Sequence, residues 1–181
     1  MAAFEVIAHT ELSSGAVSVE FSSIPNTYQH LYLVGCARST RSAYSDGSRI
    51  YFNSRGTMNP PDYSNTAITA WGPSAPGAWD SVGDPSASIA YSMDSPGASA
   101  ESNVFSASHL WILDYAATDK YTGTIGGSSS PGYSGDTWDY LMTMCHGHLR
   151  HTEAVHTVKI KNGVGNYAVG TAFTLYGINS A

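Results

Sequence analysis

The stretch from Asn103 to Ile125, NVFSASHLWILDYAATDKYTGTI, constrains the fold more than any other part of the chain. Its apolar run, Val104 to Tyr115, sets Val104, Leu110 and Ile112 on one parity. Phe105, Ala107, His109, Trp111 and Leu113 fall on the other. Successive side chains of a strand point to opposite faces. Apolar residues on both parities therefore predict a strand covered on both sides, mid-sheet or between two sheets. The serine, β-branched and aromatic content favours strand over helix. Asp114 to Lys120 reads as a polar turn, and Tyr121 to Ile125 as the next strand. The rest of the chain is expected to pack around this hairpin.

Composition supports the same class. Only 12% of the residues are charged, about half the usual share, while 42% are hydrophobic. Helices normally carry Glu, Lys, Arg and Leu on their wet faces, and those residues are scarce here. A surface this poor in charge is poorly soluble alone, so much of it is expected to meet other protein. At 181 residues one domain is expected, residues 1–181, with a core of ordinary size. The net charge is −6 and no basic stripe is present, which removes the electrostatic footprint of nucleic-acid binding. The first residues, MAAFEVIAHTELSS, lack the basic and apolar regions of a secretory signal. No apolar run is long enough for a membrane-spanning helix, so no membrane insertion is expected. Two cysteines, Cys36 and Cys145, lie in apolar strand-like runs and read first as buried free thiols, with a bridge left open.

Along the chain, Phe4 to Leu12 and Ala16 to Phe21 are strand candidates. Val17, Val19 and Phe21 alternate with polar residues, as in a half-buried strand. Pro25 ends that ladder, His30 to Arg38 is strongly apolar, and Tyr44 to Gly47 reads as a turn. Arg49 to Asn53 is a short strand with Ile50 and Phe52 on one face. Residues 54–102 form a loop-rich insertion carrying six of the eight prolines. At most two short strands fit there, near Asn65–Trp71 and Ala87–Met93. A second flexible piece, Gly126 to Gly135, precedes an apolar strand from Trp138 to Met144. His156 to Lys161 alternates cleanly, with Val158 and Ile160 facing in. Thr171 to Ile178 closes the chain, with Phe173 and Leu175 on one face and Tyr176 and Ile178 on the other. Nine to eleven short strands without a long helix predict an all-β fold. The expectation is a β-sandwich of jelly-roll type with long Pro/Gly/Ser-rich loops.

Three sets of residues bear on chemistry. His146, His148 and His151 crowd behind Cys145, and on a strand His146 and His148 share one face. That spacing suits a transition metal, but Cys145 has the opposite parity and a second element would have to supply ligands. Histidines at a loop edge touching a neighbouring subunit explain the cluster without a metal, so these three are weak candidates and no cofactor is expected. Asp136 and Asp139 flank Trp138, and Asp80 and Asp84 flank Gly83. Paired acids beside an aromatic suit a sugar cleft, yet turns are rich in Asp for backbone reasons. The sequence holds no GxSxG, GxxxxGK[ST], HExxH or GxGxxG, and a non-enzymatic role is expected. Aromatic residues in or bordering the loops, Trp71, Trp79, Tyr63, Tyr133 and Trp138, are the expected contacts to a partner or receptor.

The series FEVIAHTELSS, VEFSSIPNTYQHLYL, RIYFN, WILDYAATDKY and FTLYGI resembles a family of small tailed-phage virion proteins, often labelled tail fibre or structural protein. The resemblance covers both ends and the centre of the chain and fails across 54–102. It implies a jelly-roll-like module displayed on a virion, assembled in the host cytoplasm, and carries no catalytic residues. Expected partners are copies of the chain as a homotrimer, other capsid or tail proteins, and host surface carbohydrate. Without coiled-coil heptads for a shaft, a compact knob decorating the capsid or tipping a head fibre is favoured. The alternative is a tail-fibre receptor-binding tip recognising host glycans.

Overall fold

Where apolar residues alternate along this chain, the strand they form turns that parity inward. Leu31 and Leu33 are wholly buried while Tyr32 and Val34 between and after them are not. Val158 and Ile160 are buried as expected, and so are Phe173 and Leu175. The computed structural model describes residues 4–53, 63–71, 77–82, 89–90, 93–134 and 137–179. The side chains of 71, 78–82, 89–90, 132–134 and 137–140 lie outside that description.

Fourteen strands and no helix occur among the described residues. The first five are β1 (Phe4–Glu11), β2 (Ser18–Phe21), β3 (His30–Cys36), β4 (Ser45–Asp46) and β5 (Ser48–Phe52). Then come β6 (Tyr63–Trp71), β7 (Gly77–Val82), β8 (Ile89–Ala90) and β9 (Ser95–Pro96). The last are β10 (Ala107–Leu113), β11 (Thr122–Ser134), β12 (Thr137–Leu149), β13 (Val158–Asn162) and β14 (Ala172–Ile178). An eight-stranded sheet has the order β1-β14-β3-β10-β11-β12-β6-β7. A four-stranded sheet, β2-β13-β5-β8, faces it, and β4 and β9 form a small third sheet. All the pairings are antiparallel.

The core lies between the two main sheets. Leu31, Leu33, Leu110, Ile112, Phe173 and Leu175 come from the large sheet. Val19, Phe21, Ile50, Phe52, Val158 and Ile160 come from the small one. This is a β-sandwich, wider than a jelly roll of eight strands in all. The β10–β11 hairpin stands at the centre of the large sheet, as the opening stretch predicts.

Several expectations fail locally. Of the expected flexible piece, Gly135 lies outside the described residues, and Gly126 to Ser134 is no loop, because β11 runs through it, paired with β12 along its whole length. Its inward residues, Thr124, Gly126, Ser128 and Ser130, are small and mostly polar, which hid the alternation. Their polarity has partners brought from elsewhere. Thr124 donates to the Gly147 carbonyl, and the Ser128 hydroxyl accepts from the Asp94 backbone N–H. Trp79 lies on β7 instead of in a loop. Asp46, read as a turn residue, lies in β4 and is buried. Its carboxylate accepts from the Ser39 hydroxyl at 2.8 Å and the Gly165 backbone N–H at 2.8 Å, fixing the β13–β14 turn. Val17 is exposed, and only Val19 and Phe21 of its series face the core. Neither cysteine is in a disulfide; Cys145 is buried as expected, but Cys36 is exposed, contrary to the expectation of two buried thiols.

Candidate functional site

The parity that β10 does not turn inward is the one that stands out. Ala107, His109 and Leu113 are exposed and Trp111 is half-buried. The expected cover on this second face is not supplied by the described residues. Strand pairing extends the same parity into rows across the large sheet. One row runs Val6, Tyr176, Tyr32, Trp111, Ile125, His146, Thr66. The next runs His9, Thr174, Val34, His109, Gly127, Met144, Ile68. Met144 is 59% exposed, Met142 56%, Ile68 54% and Ile125 46%, values unusual for side chains of this kind arranged as neighbours.

Rings occupy one end of the face. Tyr32 lies 4.8 Å from Trp111 between ring centroids, and Phe4 meets Tyr32, Trp111 and Tyr176 edge-on at 6.1 to 6.3 Å. Such offset and edge contacts stabilise one another and hold the rings in place. Toward the other end, Gly127 leaves a depression along β11. A groove of about 300 Å³ over Gly127 is lined by His109, Met142 and Met144. A second, of about 200 Å³, lies between Ile125, Met144 and Ile68.

Charge is nearly absent. Among the outward residues of this sheet whose side chains are described, Glu11 at one end of β1 is the sole Asp, Glu, Lys or Arg, and Asp80 of β7, opposite Thr66, holds a place of the same parity. Five histidines, His9, His30, His109, His146 and His148, take the polar places. His9 Nδ1 is bonded to the Thr174 hydroxyl at 2.8 Å. His30 Nδ1 accepts the Asp114 backbone N–H at 2.9 Å and lies 3.4 Å from the Asp114 carboxylate. The Lys120 ammonium donates to that carboxylate and holds its pKa below the usual range. The rings of His146 and His148 meet edge-on at 4.5 Å. Burial, and then the neighbouring His146, hold His148 below the ordinary histidine pKa.

His146 and His148 do share one face, with Cys145 on the other. His151 follows in a bend, and no group of three potential ligands forms among the described residues. Tyr63, expected as a partner contact, is wholly buried, and its hydroxyl accepts the Phe52 backbone N–H at 2.8 Å. It is a core residue joining the two sheets. Trp71, Trp79, Tyr133 and Trp138 have strand backbones, with Tyr133 opposite Trp138, and their side chains lie outside the described part.

One carboxyl is strongly perturbed, and it is sealed inside. Asp94 accepts from the Thr143 hydroxyl at 2.7 Å, and burial pushes its pKa from 3.8 to about 6. The Thr143 and Ser128 hydroxyls oppose that rise and Asp46 adds to it. Enclosed between sheet layers, it has no access to a substrate, so it belongs to the interior polar network.

The fold and this face define an all-β sandwich with an apolar sheet surface that no described residue covers. No family model matches the sequence, and no curated protein matches it. Among solved structures, an exo-inulinase from Aspergillus awamori aligns with 97% of this chain at 11% identity and a TM-score of 0.44. The chain spans 29% of that protein. A protein of unknown function from Shewanella oneidensis aligns at 9% identity, 98% of this chain, 77% of that one, and a TM-score of 0.23. The Eiger TNF of S. frugiperda aligns at 9% identity, 96% of this chain, 92% of that one, and a TM-score of 0.20. None is near enough to carry an argument about activity.

Proposed function

We propose that this chain is a non-enzymatic surface protein of a bacteriophage virion, a capsid decoration or head-fibre knob that works by contact. The observation carrying the reading is the outer face of the eight-stranded sheet. Tyr32, Trp111, Ile125, Met142, Met144 and Ile68 lie there without a described covering layer. Burying apolar surface is worth about 25 cal/mol per Å², so such a face gains by meeting another protein. Aromatic and methionine side chains are also the types enriched where proteins meet. The resemblance to small tailed-phage virion proteins supplies the setting, a particle surface.

The four-ring cluster of Phe4, Tyr32, Trp111 and Tyr176 favours a second reading. Flat rings stack on the apolar side of a sugar ring, as a tail-fibre tip recognising host glycans requires. The test uses particles carrying Ile125→Lys with Met144→Lys, and Val164→Lys as a control in the β13–β14 turn. Particle occupancy should fall at least about tenfold for the pair and hold for the control. Full occupancy by the pair sinks the contact reading. Antibody labelling of the head supports decoration, and labelling of the tail tip with binding on a sugar array supports the second reading.

A further inference from the structure

We infer that the outer face of the eight-stranded sheet is covered by the same face of a second copy, in a two-fold pairing that histidine protonation opens. This rests on the reading of the chain as a contact module and names the partner of that face.

Three observations favour a second copy. The first is size. Seven strands about 4.8 Å apart and about seven residues long, at about 3.4 Å each, present roughly 700 Å². Two such faces bury roughly 1,400 Å² together, inside the range of stable specific interfaces. The second is charge. A surface whose described side chains include a single carboxylate, at its margin, offers no pattern for a charged partner to match. Another surface of the same kind meets it without stranding a charge. The third is relief. Met142 and Met144 stand as a ridge on β12, and Gly127 and Ser129 opposite them on β11 floor a trough whose far side is His109. A two-fold axis sets the ridge of each copy into the trough of the other, since an isologous interface must fit itself. Methionine side chains adapt well to such a trough.

The histidines supply the control. A histidine side chain changes charge between about pH 5 and 8. His109 is flanked across the strands by Val34 and Gly127, with the Tyr32 ring 6.2 Å away. His146 has Ile125 and Thr66 beside it, and His148 has Gly123 and Ser64. None of these three sets includes a carboxylate. The nearest acids by position are Glu11, two residues from His9, Asp114 with Lys120 beside His30, and Asp80 of β7, paired with Thr66. Protonation of His109, His146 or His148 thus puts positive charge into an apolar interface with no counter-charge beside it among the described side chains. Falling pH weakens the pairing.

Sedimentation of the full chain decides the matter. At about pH 8 and about 50 µM, above the micromolar limit for an interface of this size, the mass should be twice 19.2 kDa. At about pH 5.5 dissociation should be at least about tenfold stronger. Ile125→Lys and Met144→Lys should each give a monomer at pH 8, with folding confirmed by an unchanged circular-dichroism spectrum. Val164→Lys should remain paired, and His109→Gln with His146→Gln and His148→Gln should abolish the pH response. A monomer at pH 8, a trimer, or a dimer indifferent to Ile125→Lys and Met144→Lys overturns the pairing. A dimer equally tight at both pH values overturns the control. If the chain is monomeric yet the lysine pair still loses its place on particles, only the partner named here is wrong.

Discussion

On its inner side the eight-stranded sheet turns Leu31, Leu33, Leu110, Ile112, Phe173 and Leu175 into a closed core. On its outer side the same strands turn Tyr32, Trp111, Ile125, Met142 and Met144 outward, with no covering layer among the described residues. The inner side also holds polar groups, among them Asp94, Thr143, Ser128 and Thr124, tied to one another or to backbone. The outer side avoids formal charge almost entirely. A face meant for water would normally carry Lys, Glu or Thr at these places, as the small sheet does with Lys159 opposite Glu20. Equal hydrophobicity on two faces of one sheet therefore marks two kinds of burial, one within the chain and one, we propose, between chains.

The contrast can be broken by mutation. The largest effect is expected at Phe173, where Phe173→Ala should cost about 3–5 kcal/mol by leaving a cavity in the core. Urea unfolding reads this directly, and a loss below about 1 kcal/mol would mean the inner face is not the tight layer described.

Next come changes of about 1–3 kcal/mol. A Cβ on Gly35 would lie 2.7 Å from both the Phe173 ring and the Ser108 hydroxyl, so Gly35→Ala should destabilise by that amount. Asp94→Asn should act in the opposite sense, and only above acid pH. The folded chain binds the Asp94 proton more tightly than the unfolded chain, with a pKa of about 6 against 3.8. The stability this supplies is full below about pH 4 and lost as pH rises through about 6. Asparagine never ionises, so relative to the parent it should gain roughly 1–3 kcal/mol between pH 4 and pH 7. A difference identical at both pH values would refute a charged, buried Asp94.

The smallest effects belong to the outer face. With protein dilute enough to be monomeric, Met144→Lys should shift stability by no more than about 0.5 kcal/mol. Gly123→Ala meets only His148 atoms, the nearest at 3.7 Å, and should be neutral or gain about 0.5 kcal/mol by restricting the unfolded chain. Thermal melts of dilute samples test both. A large loss in either would show that the outer face already stabilises the single chain.

Much of this could be read before any coordinates. The double-sided apolar run ending in WILDY placed β10 in mid-sheet, and plain alternation located β13 and β14. The chemistry of the outer parity was also legible in Trp111 and His109. Its cover was misjudged, because a sequence states which residues avoid water and not which layer shields them. Tyr63 sat in an apparent loop, and only the Phe52 backbone, eleven residues earlier, explains its burial. The run from Gly126 to Ser134 looked like a linker since its inward positions are Gly and Ser. Their partners, Asp94 and the strands on either side, are distant in sequence.

By itself, then, the sequence determined the class: short strands, little charge, period-two apolar positions and few helix formers leave scant choice but stacked sheets. The tertiary structure alone decided that small polar residues would build a central strand, that a turn-like aspartate would be buried, and that one apolar face would have no cover among the described residues. Those outcomes depend on what stands opposite each side chain across a sheet or between layers. That neighbour is set by long-range pairing, which local pattern does not encode.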